Sequence, residues 1–502
     1  MNPVAARSVD FSDVQGLVRF GYVHLTEGCY YLLRVSDAAR ARSWLRGAPV
    51  ADAVERKPSP SEAMQIAFTA TGLLALGVPP DVVAAFSAEF VGGMSGDESR
   101  SRRLGDVGAN APANWRWGGA GAVPHLTVML FAQPGGLAAL EARCTAEWAG
   151  AFEILGRLDT SNLGGVEQFG FTDGVSQPAL DWNRQRDPAG DQLGYSNVVA
   201  LGEFLLGYPN EYGKYTERPL LDDTAAAAEL APAEDVPAKR DLGCNGTYVV
   251  LRQLRQDVRG FWQFAARHSG GDATQAVTLA ANFVGRTQDG APLVAGGATT
   301  IPGIGPKPAD IALNGFTFDD DPDGVRCPKG AHVRRSNPRN ADLPRPPANV
   351  LAHLIATLGL GPHRFGEDLT SSTRFHRLLR RGREYGPGLP AVDALQPAPP
   401  DDAERGLQFV CVGANIGRQF EFLQNAWLMS TKFDGLSGES DPLMGNRQPI
   451  PGCPVAAGFS MPREGTVQRR FDDLPQFVTV LGGAYFFMPG LRALRYIAGA
   501  SV

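Results

Sequence analysis

Two parts of this 502-residue chain repeat the same order of patterns, and the repeat limits the fold more than any other feature. An apolar run at 31–35 is followed by a polar stretch that ends at Trp44, and a similar run at 248–252 is followed by a stretch that ends at Trp262. Each pattern is typical of a strand that leads into a helix. A second such pattern follows in each part, at 126–131 with 137–148 and at 407–412 with 416–429.

The repeat predicts an α+β fold made of two duplicated units, for which split βαβ halves are the natural candidate. The alternative is that strand-helix pairs recur by chance. We expect an N-terminal half at 1–221, a connector at 222–240 and a C-terminal half at 241–502. The connector contains four consecutive alanines at 225–228, with prolines in or near it, so we interpret it as an exposed linker or surface insertion.

The charge balance argues against a nucleic acid as the main partner. The chain has 47 Lys and Arg against 53 Asp and Glu, a net charge of −6, whereas binding a polyanion needs a large basic face. Counting along the sequence gives 6 lysines, so 47 − 6 leaves 41 arginines. The planar guanidinium suits carboxylates, including those of a cofactor.

The sequence also restricts the compartment and the type of metal site. It has no basic and apolar leader at the N-terminus and no run of 18 apolar residues, so we expect no signal peptide and no membrane span. The expected location is the cytoplasm, or outside the cell without a recognisable N-terminal signal. The six cysteines form no CxxC pair, which disfavours zinc and redox motifs, and the lack of CxxCH means that any haem would be held without thioether links. We expect most of these thiols to be small core residues.

Several common catalytic classes lack their sequence motifs. The chain contains no GxSxG, HExxH, GxxxxGK[ST] or GxGxxG, which are the signatures of common hydrolases, zinc proteases, P-loop proteins and dinucleotide-binding proteins. The chemistry must therefore depend on other residues.

Asp173 is the first candidate, within the pentapeptide at 170–174. The glycines at 170 and 174 let the backbone bend around this carboxylate, which would hold Asp173 in a turn beside a ligand. The alternative is an Asx-turn in which Asp173 only bonds its own backbone.

His332 is the second candidate, followed within seven residues by Arg334, Arg335 and Arg339. This arrangement would let an imidazole bind iron while guanidinium groups meet carboxylates of the same cofactor. A lone histidine is more often an ordinary core or surface residue.

The third candidate segment, at 376–386, carries Arg380 and Arg381. Leu378 and Leu379 among basic residues predict a short helix that ends near Gly382, which suits a C-terminal cap. The alternative is a solvated basic face at that end of the helix.

Taken together and in this order, the three segments resemble the dye-decolorising peroxidases. The 170–174 segment is similar to the family's GxxDG signature, His332 with its arginines resembles the proximal haem-ligand segment, and Arg380 resembles the distal arginine. The stretches 203–213 and 418–424 are similar to the longer-chained subgroup of the family. Position 382 is Gly, where some members carry a polar distal residue, and the interval between His332 and Arg380 is longer than in compact members.

The resemblance implies two ferredoxin-like halves with antiparallel sheets and surrounding helices. It also implies one non-covalent haem b per chain, held mainly by the second half. The implied activity is that of a peroxidase, in which hydrogen peroxide yields a ferryl haem that oxidises dyes, phenols or other bulky aromatic donors. The partners are then peroxide and an aromatic reductant, without nucleic acid or membrane, and the chain is a monomer or a homo-oligomer. A haem-binding or haem-delivery protein of the same fold is the alternative, and a protein without haem whose arginines bind an acidic partner is a third reading.

The resemblance gives each site residue an expected role. Asp173 would take the proton of peroxide and return it to the departing oxygen, and Arg380 would stabilise the developing charge, with Arg381 as the alternative by a slip of one residue. His332 would bind the iron. We expect Glu421 to accept the other N–H of that imidazole. Arg334 is the expected partner of a haem propionate, with Arg335 and Arg339 as substitutes.

Bulky donors cannot easily reach a buried haem, so we expect an oxidisable aromatic residue near the surface. Trp427, Trp262 and Tyr385 are candidates by residue type and neighbourhood. The alternative for each is ordinary core packing.

Overall fold

The computed structural model describes residues 8–186, 196–294, 313–339, 372–447 and 457–499, together with Leu351, Leu354 and Leu358. The interval at 339–373 that separates His332 from Arg380 lies mostly outside these residues, and so does Cys453. No helix within the described ranges is long and apolar enough to cross a membrane.

The strands are β1 (Glu27–Val35), β2 (Glu62–Phe68), β3 (Leu126–Ala132), β4 (Phe152–Asp159), β5 (Ala179–Leu180), β6 (Val198–Val199), β7 (Leu220–Asp222), β8 (Lys239–Asp241), β9 (Thr247–Gln256), β10 (Leu379–Arg380), β11 (Arg383–Tyr385), β12 (Gly406–Gly413), β13 (Phe459–Met461), β14 (Arg469–Phe471) and β15 (Val478–Met488). The α-helices span Gly16–Phe20, Ala38–Gly47, Ala70–Ala75, Pro80–Ala84, Ala88–Gly92, Glu98–Leu104, Leu137–Glu147, Val258–His268, Ala273–Val284, His332–Ser336, Ala391–Ala394 and Leu491–Gly499. Two π-helical segments cover Gly417–Glu421 and Leu423–Met429, and 3-10 turns cover Gly108–Asn110, Pro112–Asn114, Leu201–Glu203, Ala225–Ala227, Ser372–His376 and Phe433–Gly435.

The two halves have the same topology and share one antiparallel sheet. In the first half, strands β1 to β4 lie in the order β4-β1-β3-β2, with a helix after β1 and another after β3. In the second half, β15, β9, β12 and β10 lie in the corresponding order, and β11 also pairs with β12. The predicted duplication into two ferredoxin-like halves is therefore confirmed.

The halves meet where the last strand of the second half pairs with the second strand of the first. This junction between β15 and β2 has one register pair, Phe487 with Phe68. Both residues are fully buried. The main sheet therefore has nine strands among the described residues and continues from one half into the other.

The central strands of this sheet are buried on both faces, which explains the long apolar runs within them. On β9, Val250 and Leu254 belong to one core cluster, and Val249 and Leu251 to a second cluster on the other face. Strands covered on both sides lack the alternation of apolar and polar residues that a half-exposed strand has.

The segment that carries Arg380 is extended, so the predicted short helix at this place is wrong. A 3-10 turn ends at His376, and the chain then forms β10 and β11 against β12. The position of a Cβ atom on Gly382 would lie 2.5 Å from the carbonyl oxygen of Gln408. Gly382 thus allows close approach to β12 and is not a helix cap.

The connector at 222–240 is more ordered than an exposed linker. Strands β7 and β8 pair at its two ends, and Ala227, Leu230 and Ala233 are almost fully buried. It therefore packs as part of the fold.

Candidate haem-binding site

A cavity brings together side chains from all three candidate segments. Its walls include Asp173, His332 and Arg380. The residues that line it are Glu167, Phe169, Phe171, Thr172, Asp173, Val175, Ser176, Arg252, Leu254, Gln256, Val284, Arg286, His332, Val333, Ser336, Asn337, Arg377, Leu378, Arg380, Leu407, Phe409, Phe420, Leu423, Gln424, Leu428, Leu443, Met444 and Val478. The wall is thus mainly apolar, with a few cations and acids, as is usual for a site that holds a large organic ligand.

The loop that carries Asp173 is folded around a buried glutamate. The Glu167 carboxylate accepts hydrogen bonds from the backbone N–H groups of Phe169 and Phe171, both at 3.0 Å. Gln256 of β9 donates a third hydrogen bond to it at 2.8 Å. Burial raises the pKa of Glu167 to about 7 in spite of these donors.

Asp173 is directly paired with Arg380. Nη1 of Arg380 donates to Oδ1 of Asp173 at 2.7 Å, and each side chain keeps less than a third of its surface exposed. Burial alone would raise the pKa of Asp173. The charge of Arg380 opposes this, with help from the N–H of Gly174, so that the pKa lies below its ordinary value of 3.8.

His332 opens a short helix and is oriented by Asp441. The Nδ1 atom of His332 lies 2.9 Å from Oδ2 of Asp441, and Oδ1 of Asp441 accepts the backbone N–H groups of Leu443 and Met444. Burial would lower the pKa of His332, but the fully buried Asp441 carboxylate raises it above 6.5. With Nδ1 bonded to Asp441, Nε2 is the nitrogen that can bind a metal.

The expectation that Glu421 accepts a hydrogen bond from His332 is wrong. The Glu421 carboxylate accepts the hydroxyl of Tyr485 at 3.0 Å and lies 2.9 Å from Nε of Arg100. Asp441 takes the place next to His332. It is 109 positions away in the chain, and no local pattern in the sequence distinguishes it from other acids.

The structure also contradicts Arg334 as the partner of a propionate. Nη1 of Arg334 donates to the carbonyl groups of Asp321 and Cys327, both at 2.9 Å, and Arg334 is fully buried outside the cavity wall. The proposed substitutes, Arg335 and Arg339, likewise donate to backbone carbonyls.

Other arginines take their place at the cavity. Arg252, Arg286, Arg377 and Arg380 all line it. Arg381, the alternative to Arg380, instead donates to the carbonyl groups at 17 and 18. Sequence reasoning missed Arg252 and Arg286 because they come from other elements, and it passed over Arg377 because nothing within the 376–386 segment distinguished it from its neighbours.

The side chains of the cavity fit a haem better than a bare metal ion. In the described part of the chain, no three His, Cys, Asp or Glu side chains converge to hold a metal. His332 is the one histidine in the described cavity wall, and a single imidazole ligand suits an iron whose other ligands belong to a macrocycle. Arg252 is fully buried in the wall, where its Nη2 atom pairs with the buried Asp106. Its Nε and Nη1 atoms have no hydrogen-bond partner among the described residues, so they are the atoms that can meet a carboxylate group of a cofactor.

The three expected surface aromatics are all buried. Trp427 and Tyr385 are 7% exposed and Trp262 is 2% exposed. Tyr212, which the sequence reasoning passed over, is 55% exposed and stacks on Phe375 with 4.0 Å between ring centroids.

A row of rings leads from this surface tyrosine toward the cavity. Phe375 lies 6.5 Å from His376, and His376 stacks on Phe422 at 3.6 Å and meets Trp427 edge-on at 5.3 Å. The next residue after His376, Arg377, lines the cavity.

The relatives found by comparison of sequence and of structure are named as peroxidases. No family model matches the sequence. A dye-decolorizing peroxidase of Auricularia auricula-judae is 27% identical over 519 residues, which cover 98% of this chain and 87% of that protein. The multifunctional dye peroxidase of an Amycolatopsis strain is 30% identical over 355 residues, which cover 67% of this chain and 62% of that protein. The crystal structure of a fungal DyP-type peroxidase from Auricularia auricula-judae matches with a TM-score of 0.71 at 25% identity, and the match covers 98% of this chain and 100% of that one.

Proposed function

Since this chain belongs to the dye-decolorising peroxidase family, we propose that it is a haem peroxidase that uses hydrogen peroxide to oxidise dyes, phenols or other bulky aromatic donors. Peroxidases of the same family are haem enzymes, and the observation that carries the proposal is the shared cavity of His332, Asp173 and Arg380. A metal ligand, an ionised carboxylate and a guanidinium in one cavity are the groups that peroxide cleavage needs.

We propose that the cofactor is haem b, bound without covalent links and in one copy per chain. Nε2 of His332 would bind the iron, and Arg252 would hold a carboxylate of the porphyrin. When bound, the haem would supply the two electrons that reduce the O–O bond of peroxide. The role of the protein is to orient this group and to handle protons beside it.

Asp173 handles the proton. Its carboxylate would accept one proton from hydrogen peroxide and return it to the oxygen that leaves as water. Arg380 keeps this carboxylate ionised and donates hydrogen bonds to the oxygen on which negative charge grows. The pair therefore serves proton transfer and charge stabilisation together.

Asp441 lies next to Nδ1 of His332 and orients the imidazole. Its buried carboxylate accepts a hydrogen bond from Nδ1–H and would make Nε2 a stronger electron donor, which favours oxidised iron. A haem-delivery protein is the alternative function, but the relatives are named as peroxidases, which favours catalysis.

The test is the optical spectrum of protein reconstituted with haem. The wild type should have a Soret band that changes on mixing with one equivalent of peroxide and returns when a phenol is added. His332→Ala should lose the histidine-ligated spectrum. His268→Ala is the control, because His268 lies at the surface beside Asp473 and outside the cavity wall. A delivery protein would bleach under peroxide without recovery, and an unchanged His332→Ala spectrum would exclude His332 as the ligand.

A further inference from the structure

Arg380 lies on the edge strand of the main sheet, where its backbone lacks a neighbouring strand on one side. The register pairs Arg380 with Cys411 of β12, and the next residue, Arg381, donates its N–H to the carbonyl of Val410 at 2.7 Å. Hydrogen-bonded and non-hydrogen-bonded pairs alternate along an antiparallel ladder. The N–H and C=O groups of Arg380 therefore point away from β12, toward the open edge.

The side chain of Gln177 fills this edge. Its Oε1 accepts the backbone N–H of Arg380 at 3.0 Å, and its Nε2 donates to the backbone C=O of Arg380 at 3.1 Å. One amide thus pairs both peptide groups of one residue, as an adjacent strand would do. Gln177 is four residues after Asp173, so it joins the loop of the carboxylate to the strand of the guanidinium.

Gln177 is itself fixed by two asparagines. Its backbone carbonyl accepts Nδ2 of Asn197 at 2.9 Å and Nδ2 of Asn314 at 3.0 Å. Asn197 also accepts Nη2 of Arg377 at 2.7 Å. Gln177 and its two asparagines therefore hold both the strand of Arg380 and the side chain of Arg377, which also lines the cavity.

We propose that Gln177 is a positioning residue that sets Arg380 against Asp173. The 2.7 Å contact between these side chains requires that the loop and the edge strand keep a fixed spacing. The side chain of Gln177 supplies a direct link between the loop of Asp173 and the strand of Arg380, because it bonds both peptide groups of Arg380. When it is removed, β10 keeps its pairing with β12 but loses its attachment to the loop. This inference rests on the proposed function for its catalytic consequence, whereas the attachment itself does not require haem.

The attachment can be tested in the haem-free protein with Gln177→Leu. Hydrogen exchange of the Arg380 amide, followed by NMR, should become about fivefold faster, because one hydrogen bond contributes roughly 1 kcal/mol. The pKa of Asp173, followed by its carboxyl carbon shift, should rise as Arg380 moves away. The other titratable groups that act on Asp173 are His332, Glu167 and Glu384, which the substitution leaves in place.

The matched control is Gln168→Leu. Gln168 precedes Asp173 in the same loop, and its amide donates to the carbonyl of Tyr385 at 2.8 Å, on β11 and away from Arg380. This variant should leave the exchange of Arg380 and the titration of Asp173 as in the wild type. Equal exchange of Arg380 in the wild type and Gln177→Leu would overturn the proposal.

The catalytic consequence is tested in the haem-loaded enzyme. The rate of the spectral change on mixing with peroxide should fall about tenfold in Gln177→Leu, at normal haem content and with an acid limit shifted to higher pH. Normal peroxide kinetics with fast Arg380 exchange would refute the positioning role. If the wild type does not react with peroxide, the proposed function fails, while the haem-free measurement still decides the attachment.

A second variant guards against loss of folding. Gln177→Glu keeps an acceptor for the N–H of Arg380 and loses the donor to its C=O. We expect exchange and peroxide kinetics between those of the wild type and Gln177→Leu. Wild-type values in both measurements would contradict the proposal.

Discussion

The protonation state of Asp173 is set by two opposing effects at one residue. Burial favours the neutral acid, and the guanidinium of Arg380 at 2.7 Å favours the carboxylate. The second effect wins together with the N–H of Gly174, so the carboxylate is present in mildly acidic solution. The group that we propose to take the proton of peroxide is therefore ionised wherever the pH lies above this lowered pKa.

This balance predicts the acid limit of the peroxide reaction. A carboxyl whose pKa lies below 3.8 is more than half ionised at pH 3.8, so the midpoint of the decline in rate should lie below that pH. In Arg380→Leu, the guanidinium charge no longer opposes burial, so the pKa of Asp173 should rise and the decline in rate should move to higher pH. The plateau rate should also fall. Stopped-flow mixing with a pH jump measures both.

Arg255→Leu serves as the control, because Arg255 donates to the hydroxyl of Thr479 at an exposed position and lies outside the cavity wall. Its acid limit should match the wild type. An acid limit that stays in place in Arg380→Leu would mean that Arg380 does not set the ionisation of Asp173.

At the level of single residues, the sequence predicted those that stand in distinctive local segments. Asp173, His332 and Arg380 each have neighbours that mark them, and they meet in one cavity. The residues around Asp441 do not distinguish it from other acids. Its role depends on a contact with His332, which is 109 positions away in the chain. The arginines after His332 were misassigned because proximity in sequence does not fix the direction of a side chain on a helical turn.

The elements at the site differ from the prediction where tertiary pairing overrides local preference. The basic segment at 376–386 has the composition of a helix, yet it forms β10 and β11 because β12 offers a neighbouring strand. The duplicated strand-helix order was predicted correctly because long apolar runs and their spacing are local properties. Whether a short basic segment forms a helix or a strand thus depends on the strand with which the fold lets it pair.

The close approach at Gly382 predicts the cost of adding one methyl group. Gly382→Ala should lower the free energy of unfolding by about 1–3 kcal/mol, because the Cβ would press on the Gln408 carbonyl. Urea unfolding followed by circular dichroism measures this change. Gly47→Ala is the control, since its Cβ would have no atom within 4 Å and alanine favours the helix. A loss in Gly382→Ala no greater than that in Gly47→Ala would contradict the steric explanation.

At the level of the whole molecule, the cavity and the surface are linked by stacked rings. Tyr212 is exposed, and the aromatic contacts run through Phe375 and His376 to Phe422 and Trp427. We expect a donor too large for the cavity to give its electron at Tyr212, because the ring contacts lead from there to His376, the neighbour of the cavity residue Arg377. Tyr212 would lose an electron and its phenolic proton in this process, and the donor and solvent would restore both.

This path predicts a loss that depends on donor size. Tyr212→Phe should lower turnover of a bulky dye about tenfold while the turnover of a small donor that enters the cavity is retained. Steady-state assays with both donors measure the difference. Tyr215→Phe is the control, because the Tyr215 ring lies beside Arg218 and, among the described residues, does not stack on the rings that follow Tyr212. Equal losses for both donors, or for both variants, would exclude Tyr212 as the entry point.

The five cysteines within the described ranges bear on how long such an enzyme survives its own oxidant. All of them are buried. Burial raises the pKa of Cys144 to about 11 and that of Cys327 to about 12, and it raises those of Cys29 and Cys411 as well. Peroxide attacks the thiolate form of an accessible cysteine. Cys29, Cys144, Cys327 and Cys411 are therefore protected both by lack of access and by protonation, and Cys244 by lack of access. Repeated exposure to peroxide should not convert them readily to sulfenic acid.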